Sequence, residues 1–143
     1  MSTQVLSILL DRVSTLHTVR PDATAFEALN LMAEKGIAAV LVMDGGQLCG
    51  VFSGKDYASR IALRARNGRE IPVRDAMTSS IVTVGPEATV DECMKVMTTK
   101  RFRHLPIMKD GEVIGLVTLA DLVRHQLAHK QFEIDQLISY VSG

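Results

Sequence analysis

The sequence predicts an α/β protein of the α+β kind, built from tandem β-α-β-β-α repeats packed face to face about a pseudo-twofold axis. Three observations carry this. Shifted by 65 positions, the chain matches itself without a gap: Thr18-Val19, Pro21, Ala23-Thr24, Glu27, Met32, Lys35, Gly46, Gly50 and Asp56 fall on Thr83-Val84, Pro86, Ala88-Thr89, Glu92, Met97, Lys100, Gly111, Gly115 and Asp121. A Thr-x-x-Glu capping box recurs at Thr24 and Glu27 and at Thr89 and Glu92, marking a helix start in each copy. A turn of the Asp-Gly kind between two apolar runs also recurs, at Asp44-Gly45-Gly46 and Asp110-Gly111, which is the local signature of a β-hairpin. Two copies of one small unit bury their apolar faces against each other, and the spaces left between them come as two related clefts.

Taken in order, residues 3–11 read as a short helix and 16–19 as a brief extended run stopped by Pro21-Asp22. In the helix that follows, Phe26, Leu29, Met32 and Ala33 recur at helical spacing, so they are the expected buried stripe. Residues 37–43 and 48–52 form the first hairpin. A run this apolar is expected to be covered on both faces. The second copy repeats the pattern with Val90, Met94 and Met97 on its helix and with 105–108 and 113–117 in its hairpin. A further helix begins near Ser53 and near Thr118. Between the copies, 64–75 is rich in charge and carries Asn67-Gly68 and Pro72, the composition of a surface connection. The tail holds Leu119, Leu122, Val123, Leu127, Ile134, Leu137, Ile138 and Val141 at helical spacing, with a break expected near Lys130. Such a tail caps the core or meets a second subunit. The resulting division is 1–12 as an N-terminal helical segment, 13–66 and 77–129 as the repeats, 67–76 as linker and 130–143 as helical tail.

At 143 residues the chain suits one body that buries about two thirds of its unfolded surface. Sixteen basic and sixteen acidic residues cancel, so the chain lacks the broad positive field that nucleic acid demands. Cys49 and Cys93 are too few and too far apart for a thiolate metal site or a disulfide framework. They align with the apolar Ile114 and Ala28 and read as buried reduced thiols. Val5–Leu10 is too short to span a bilayer and lacks the flanks of a secretory signal; no membrane association and a cytoplasmic location are expected.

The chemistry concentrates in Gly50-Val51-Phe52-Ser53-Gly54-Lys55-Asp56 and Gly115-Leu116-Val117-Thr118-Leu119-Ala120-Asp121. In both, an extended run ends on a hydroxyl residue and an Asp follows three positions later. Helix capping alone explains the pattern, at about 1 kcal/mol for each cap. A ligand explains it equally: N–H groups at a helix start attract phosphate, the hydroxyl adds a donor, and a carboxylate accepts both hydroxyls of a ribose. His125, His129 and Glu133 are spaced to share a helical face that suits a divalent metal, but His125 aligns with Arg60, which favours a solvated polar face; no metal is expected. No paired carboxylate, Ser-His-Asp set, Gly-x-Gly-x-x-Gly loop or Walker sequence occurs, so the chain does not read as an enzyme.

The repeat, the step Gly-hydrophobic-hydrophobic-Ser/Thr-x-x-Asp, the segment Arg103-His104-Leu105-Pro106-Ile107 and the phrase Val73-Arg74-Asp75-Ala76-Met77-Thr78 together resemble the CBS (cystathionine-β-synthase-type) domain pair, or Bateman module, over about residues 13–127. The chain is similar to the stand-alone two-repeat signalling proteins of that family. The resemblance implies an energy-sensing module that binds adenosine derivatives such as AMP, ADP, ATP, S-adenosylmethionine or NAD(H) between the repeats. A homodimer is expected because the last helix of each repeat, 57–65 and 119–127, carries apolar residues on more than one face, with an unidentified protein partner reading the exposed helices. By position it assigns Asp121 to a ribose and Thr118 to a phosphate, with Leu16, His17, Ile37, Ala38 and Ala39 around the adenine. The related cleft takes Ser53, Lys55 and Asp56 with Ile81, Val82, Phe102 and backbone near Arg103. Because Arg103-His104 aligns with Ala38-Ala39, the two clefts are expected to be unequal, with Arg103 and His104 drawing the charged end of the nucleotide. Lys55, Arg60 and Arg64 are either a second phosphate-neutralising group or solvated helix charges. A ligand-free interaction scaffold of the same fold is the alternative function.

Overall fold

The computed structural model describes residues 3–10 and 16–142; the expected start of the first repeat at residue 13, and Asp11 of the first helix, lie outside them. The elements run α1 (Val5–Leu10), β1 (Thr18–Val19), α2 (Ala25–Lys35), β2 (Ala39–Asp44), β3 (Gln47–Ser53), α3 (Gly54–Arg60), 3-10 turns at Ala62–Arg64 and Val73–Asp75, α4 (Val90–Lys100), β4 (His104–Lys109), β5 (Glu112–Thr118) and α5 (Leu119–Ser142). In the first repeat β1 pairs parallel with β2, and β2 pairs antiparallel with β3. In the second, β4 and β5 form the matching hairpin and the leading strand shrinks to a parallel bridge between Val84 and Ile107. Even the irregularities repeat, with register shifts at Val42/Met43 and at Ile107/Met108.

Local chemistry sets these elements. The Thr24 hydroxyl accepts the Glu27 N–H at 3.1 Å while the Glu27 carboxylate accepts the Thr24 N–H at 3.2 Å, so both halves of the capping box are made and α2 starts there. Thr89 accepts the Glu92 N–H in the same way. The hairpin turns need the left-handed region at both central residues, and Gly45, Gly46, Asp110 and Gly111 all lie there, as a two-residue turn between twisted strands requires.

Alternation along β2 divides the core. Val40 and Val42 point into a cluster with Ala25, Ala28, Met32, Phe52 and Ile61. Ala39 and Leu41 point the other way, into an apolar layer with Val51, Leu16, Ile81, Val113 and Leu116. That layer joins the repeats, and it satisfies the expectation that these strands are covered on both faces. The second repeat has its own cluster around Leu105, Ile107, Val117 and Leu122. Cys93 is buried in it and Cys49 is half-buried; burial, with Glu92 adding to it, pushes the Cys93 thiol up to about 11, so it stays protonated and inert.

Three expectations are corrected. Of the predicted α2 stripe, Met32 is buried and Leu29 packs against the core, but the other buried positions are Ala25 and Ala28; Phe26 is half-buried beneath the Arg69 guanidinium, 4.3 Å from the ring centre, and Ala33 is exposed. α5 runs unbroken through Lys130, since no Gly or Pro occurs between 119 and 142 to stop it. The connection is only partly on the surface. Ile71, Val73 and Ala76 are core residues of the first repeat, because the segment pairs with the approach to α2: Val73 donates to the Ala23 carbonyl at 2.7 Å and Ala25 to the Ile71 carbonyl at 2.8 Å.

The N-terminal segment does the same service for the second repeat. Val5 donates to the Ala88 carbonyl at 2.7 Å and Val90 to the Thr3 carbonyl at 2.8 Å, and the Val5 side chain is fully buried. Each repeat is thus completed by the segment that precedes the other one in the chain. Gly50 sits where strand β3 meets residues after the connection: a Cβ there would lie 2.6 Å from the Met77 sulfur and 2.7 Å from the Thr78 carbonyl, so only glycine permits the paired Val51–Thr78 bonds at 3.0 and 2.9 Å.

Candidate functional site

The two strand-to-helix steps open onto one cleft of about 1180 Å³ between the repeats. Its apolar wall comes from Leu29, Met32 and Ala33 of α2, Ile37 and Ala38 ahead of β2, Val51 of β3, and Ile81, Val82 and Phe102. Leu119, Ala120 and Val123 close it along α5. Its polar side carries Ser53, Lys55, Asp56, Ser59 and Arg60 from α3 and its cap, Thr78, then Arg101, Arg103, His104, Thr118 and Arg124.

At α3 the Ser53 hydroxyl accepts the Asp56 N–H at 3.1 Å, and Asp56 Oδ2 accepts both the Ser53 N–H and the Ser53 hydroxyl at 3.0 Å. Among the described residues, Oδ1 of Asp56 has only the Thr78 hydroxyl at 3.5 Å and Arg60 Nε at 3.9 Å, long contacts that leave acceptor capacity toward the cleft. At α5 the cap is tighter. Asp121 is 5% exposed; its Oδ2 accepts the Thr118 N–H at 2.9 Å and its Oδ1 pairs with Arg124 at 2.5 Å. Asp56 therefore lines the cleft whereas Asp121 stands behind Thr118, held by its own helix.

The first N–H of each helix is already used. Gly54 donates to the Ala38 carbonyl at 3.1 Å and Leu119 to the Arg103 carbonyl at 2.9 Å, so the attraction for an anion rests on side chains more than on helix ends. Among the described residues, five cationic side chains line the cleft, namely Lys55, Arg60, Arg101, Arg103 and Arg124, against the single carboxylate of Asp56. Arg60 is committed to the Ala76 and Met77 carbonyls at 2.9 and 2.5 Å, and Arg124 to Asp121. Among the described residues no ion pair engages Lys55, Arg101 or Arg103. In a chain of zero net charge, this is a local positive field ready for an anion. His104 sits half-buried among these groups; burial holds its imidazolium below the usual histidine range, with Asp56 opposing, Arg103 reinforcing and Asp121 opposing.

Of the residues assigned from the sequence, Ile37, Ala38, Ser53, Lys55, Asp56, Ile81, Val82, Phe102, Arg103, His104 and Thr118 meet in this one cleft. Two separate clefts were expected; residues of both sets share one, because the capped ends of α3 and α5 face each other across it. Leu16 and Ala39 are instead packed in the layer between the repeats, and neither they nor His17, whose carbonyl accepts the Leu41 N–H at 3.1 Å, line the cleft. Arg64 is exposed outside the cleft. His129 Nε2 pairs with Glu133 at 3.1 Å on the exposed face of α5, and among the described residues no group of three or more metal-ligating side chains is brought together.

Arg101 was not anticipated. It ends α4 in the left-handed region at φ 59°, where the aligned residue of the first repeat is Gly36 at φ 65°. An arginine in a glycine's conformation stores strain of about 1 kcal/mol, and here it sets a guanidinium at the cleft. The alignment of Gly36 with Arg101 was the signal in the sequence.

Known proteins share this architecture. Residues 1–63 and 73–128 match the CBS domain family. The CBS domain-containing protein CBSX3, mitochondrial, of Arabidopsis thaliana is 32% identical over 127 residues, covering 85% of this chain and 62% of that protein; the chain thus spans under two thirds of that relative's length. The CBS domain-containing protein YhcV of Bacillus subtilis (strain 168) is 29% identical over 126 residues, covering 87% of this chain and 89% of the relative. A solved structure of a protein with CBS domains from Burkholderia ambifaria MC40-6 superposes with a TM-score of 0.85 at 39% identity, covering 88% of this chain and 95% of that one. Among the described residues no helix is long and apolar enough to cross a membrane. Tandem matches, the doubled fold and the cleft between the copies have one conclusion: the chain belongs to the CBS domain family, as a CBS domain pair of the regulatory kind.

Proposed function

We propose that the cleft binds an adenine nucleotide, AMP, ADP, ATP or NAD(H), and that occupancy changes how the repeats pack, a change read by a protein partner of a homodimer. The observation that carries this reading is the division of the cleft into an apolar wall and a cationic side. A flat, weakly polar base suits Ile37, Ala38, Ile81 and Val82; phosphate suits Arg101, Arg103 and Lys55; and the open Oδ1 of Asp56 suits a ribose hydroxyl. Asp121 is assigned a supporting role, fixing Thr118 and Arg124 for the ligand. At about a hundred times its dissociation constant such a ligand stabilises the bound arrangement by about 2.7 kcal/mol.

A thermal-shift panel tests it. AMP, ATP or NADH is expected to raise the melting temperature by several degrees, with cytidine nucleotides giving less. A flat response to every adenosine compound overturns the sensor and leaves the fold as an interaction scaffold.

A further inference from the structure

We propose that the cleft holds one nucleotide per chain, laid across the two helix caps, with its ribose on Asp56 of the first repeat and its phosphate on Thr118 of the second. This rests on the nucleotide reading above and adds the number and the direction of the ligand.

The two caps share a backbone plan, but their polar groups are spent in opposite ways. At α3 the hydroxyl is used up: Ser53 Oγ donates to Asp56 Oδ2 at 3.0 Å and accepts the Asp56 N–H at 3.1 Å. The carboxylate there keeps an oxygen in reserve, since among the described residues Oδ1 is met only by the Thr78 hydroxyl at 3.5 Å and Arg60 at 3.9 Å. At α5 the carboxylate is used up. Asp121 Oδ2 accepts the Thr118 N–H at 2.9 Å, its Oδ1 is paired with Arg124 at 2.5 Å, and its side chain is 4% exposed against 16% for Asp56. Here the hydroxyl remains. Thr118 Oγ accepts the Asp121 N–H at 3.1 Å, and among the described residues its own O–H meets no acceptor. A hydroxyl has one proton to give, so Ser53 has none left for an anion and Thr118 has.

A ribose edge presents O–H groups and needs an acceptor, whereas a phosphate presents oxygens and needs donors. Neither cap supplies both from its own acid and hydroxyl. The first offers the acceptor and the second offers the donor, so one ligand spanning the caps satisfies both.

The surroundings repeat this division. Ala38 holds the first cap through its carbonyl and brings only a methyl; Arg103 holds the second through its carbonyl and brings a guanidinium. Arg101 stands where the first repeat has Gly36. Apolar surface for a base thus adjoins the open acid, and cations adjoin the open hydroxyl. Lys55 precedes Asp56 in sequence but hangs on a flexible stem, so it follows a phosphate without fixing its place. A second ligand would compete for the same Arg101 and Arg103 and would find its acid closed by Arg124. A single bridging ligand is itself a tie between the repeats, which gives occupancy its hold on their packing.

Calorimetric titration of the full chain with AMP, and with adenosine, which lacks the phosphate, tests the proposal. AMP is expected to bind once per chain. Asp56→Asn is expected to weaken AMP and adenosine alike by about tenfold, the loss of a charged acceptor. Asp121→Asn still accepts the Thr118 N–H and is expected to leave adenosine binding unchanged. Thr118→Val is expected to weaken AMP by about tenfold while adenosine is unaffected, and Thr118→Ser, which keeps the O–H, is expected to restore AMP. Arg103→Ala is expected to give the same phosphate-only loss without altering a cap, so the pattern stays readable if a cap variant fails to fold. Two AMP per chain, or an adenosine affinity that falls in Asp121→Asn and not in Asp56→Asn, overturns the bridging arrangement and returns each ligand to a cap of its own. If neither compound binds the unaltered protein, the nucleotide reading falls and this arrangement falls with it.

Discussion

The carbonyl of Arg103 accepts the main-chain N–H of Leu119 at 2.9 Å, and one repeat earlier the carbonyl of Ala38 accepts that of Gly54 at 3.1 Å. The same joint locks strand to helix in both copies, yet one joint presents a guanidinium and the other a methyl. The cleft is symmetric in its backbone and asymmetric in its charge.

Arg103→Ala leaves that backbone bond in place and removes an exposed side chain, so stability is expected to stay within about 0.5 kcal/mol. Affinity for AMP is expected to fall at least tenfold, the loss of one charge-assisted contact to phosphate. Calorimetric titration showing unchanged affinity removes Arg103 from the site.

Arg101→Gly separates strain from recognition. Relief of the left-handed arginine is expected to raise stability by about 0.5–1 kcal/mol in urea unfolding, part of the gain being offset by the freer unfolded glycine. The same variant is expected to bind AMP several-fold more weakly. Higher stability with affinity intact would mean that the strain serves no ligand.

His104 makes the site sensitive to pH. Its folded-state value lies below the ordinary 6.5, so in the unliganded protein it is neutral at pH 7, and as pH falls through 6.5 the unfolded chain gains a proton first and stability declines until the folded value is passed. Phosphate beside the ring favours the imidazolium. Nucleotide affinity is accordingly expected to rise as pH is lowered from 7.5 toward 6, with proton uptake on binding. In His104→Gln both the rise in affinity and the low-pH loss of stability are expected to disappear; a pH profile identical to the parent's places the effect on another group.

Val5→Ala and Val73→Ala are expected to cost about 2 kcal/mol each, two buried methyl groups plus the cavity they leave. Both side chains are fully buried at equivalent joints, so equal costs in chemical denaturation support the reading that the two segments play one part. A negligible cost at Val5 would show that the N-terminal segment is not docked in solution.

What the sequence made legible was what its own repetition and local chemistry encode. Thr24 and Glu27 announce a capped helix, and Gly45-Gly46 and Asp110-Gly111 announce turns, because each needs only its neighbours. The α2 stripe is only partly legible, because Ala25 and Ala28 carry little hydrophobic signal beside Phe26 yet are small enough to let helix and sheet approach. Val73 was hidden among the charges of 64–75, and nothing local says that it pairs with Ala23. Ser53, Asp56 and Thr118 stand out by pattern and all three line the cleft, whereas its breadth depends on the angle between the repeats, a property of Leu41, Val51 and Leu116 acting together.

The exchange of leading segments has a consequence for how the chain comes together. The first repeat finds its missing stave just downstream, in Ile71 and Val73, and is whole once residue 76 has been made. The second must reach back to Thr3 and Val5, upstream of the whole first repeat, which wait unpaired until Ala88 and Val90 arrive. Severing the chain between the copies would therefore orphan only the later one, and supplying the opening peptide in trans is the natural remedy.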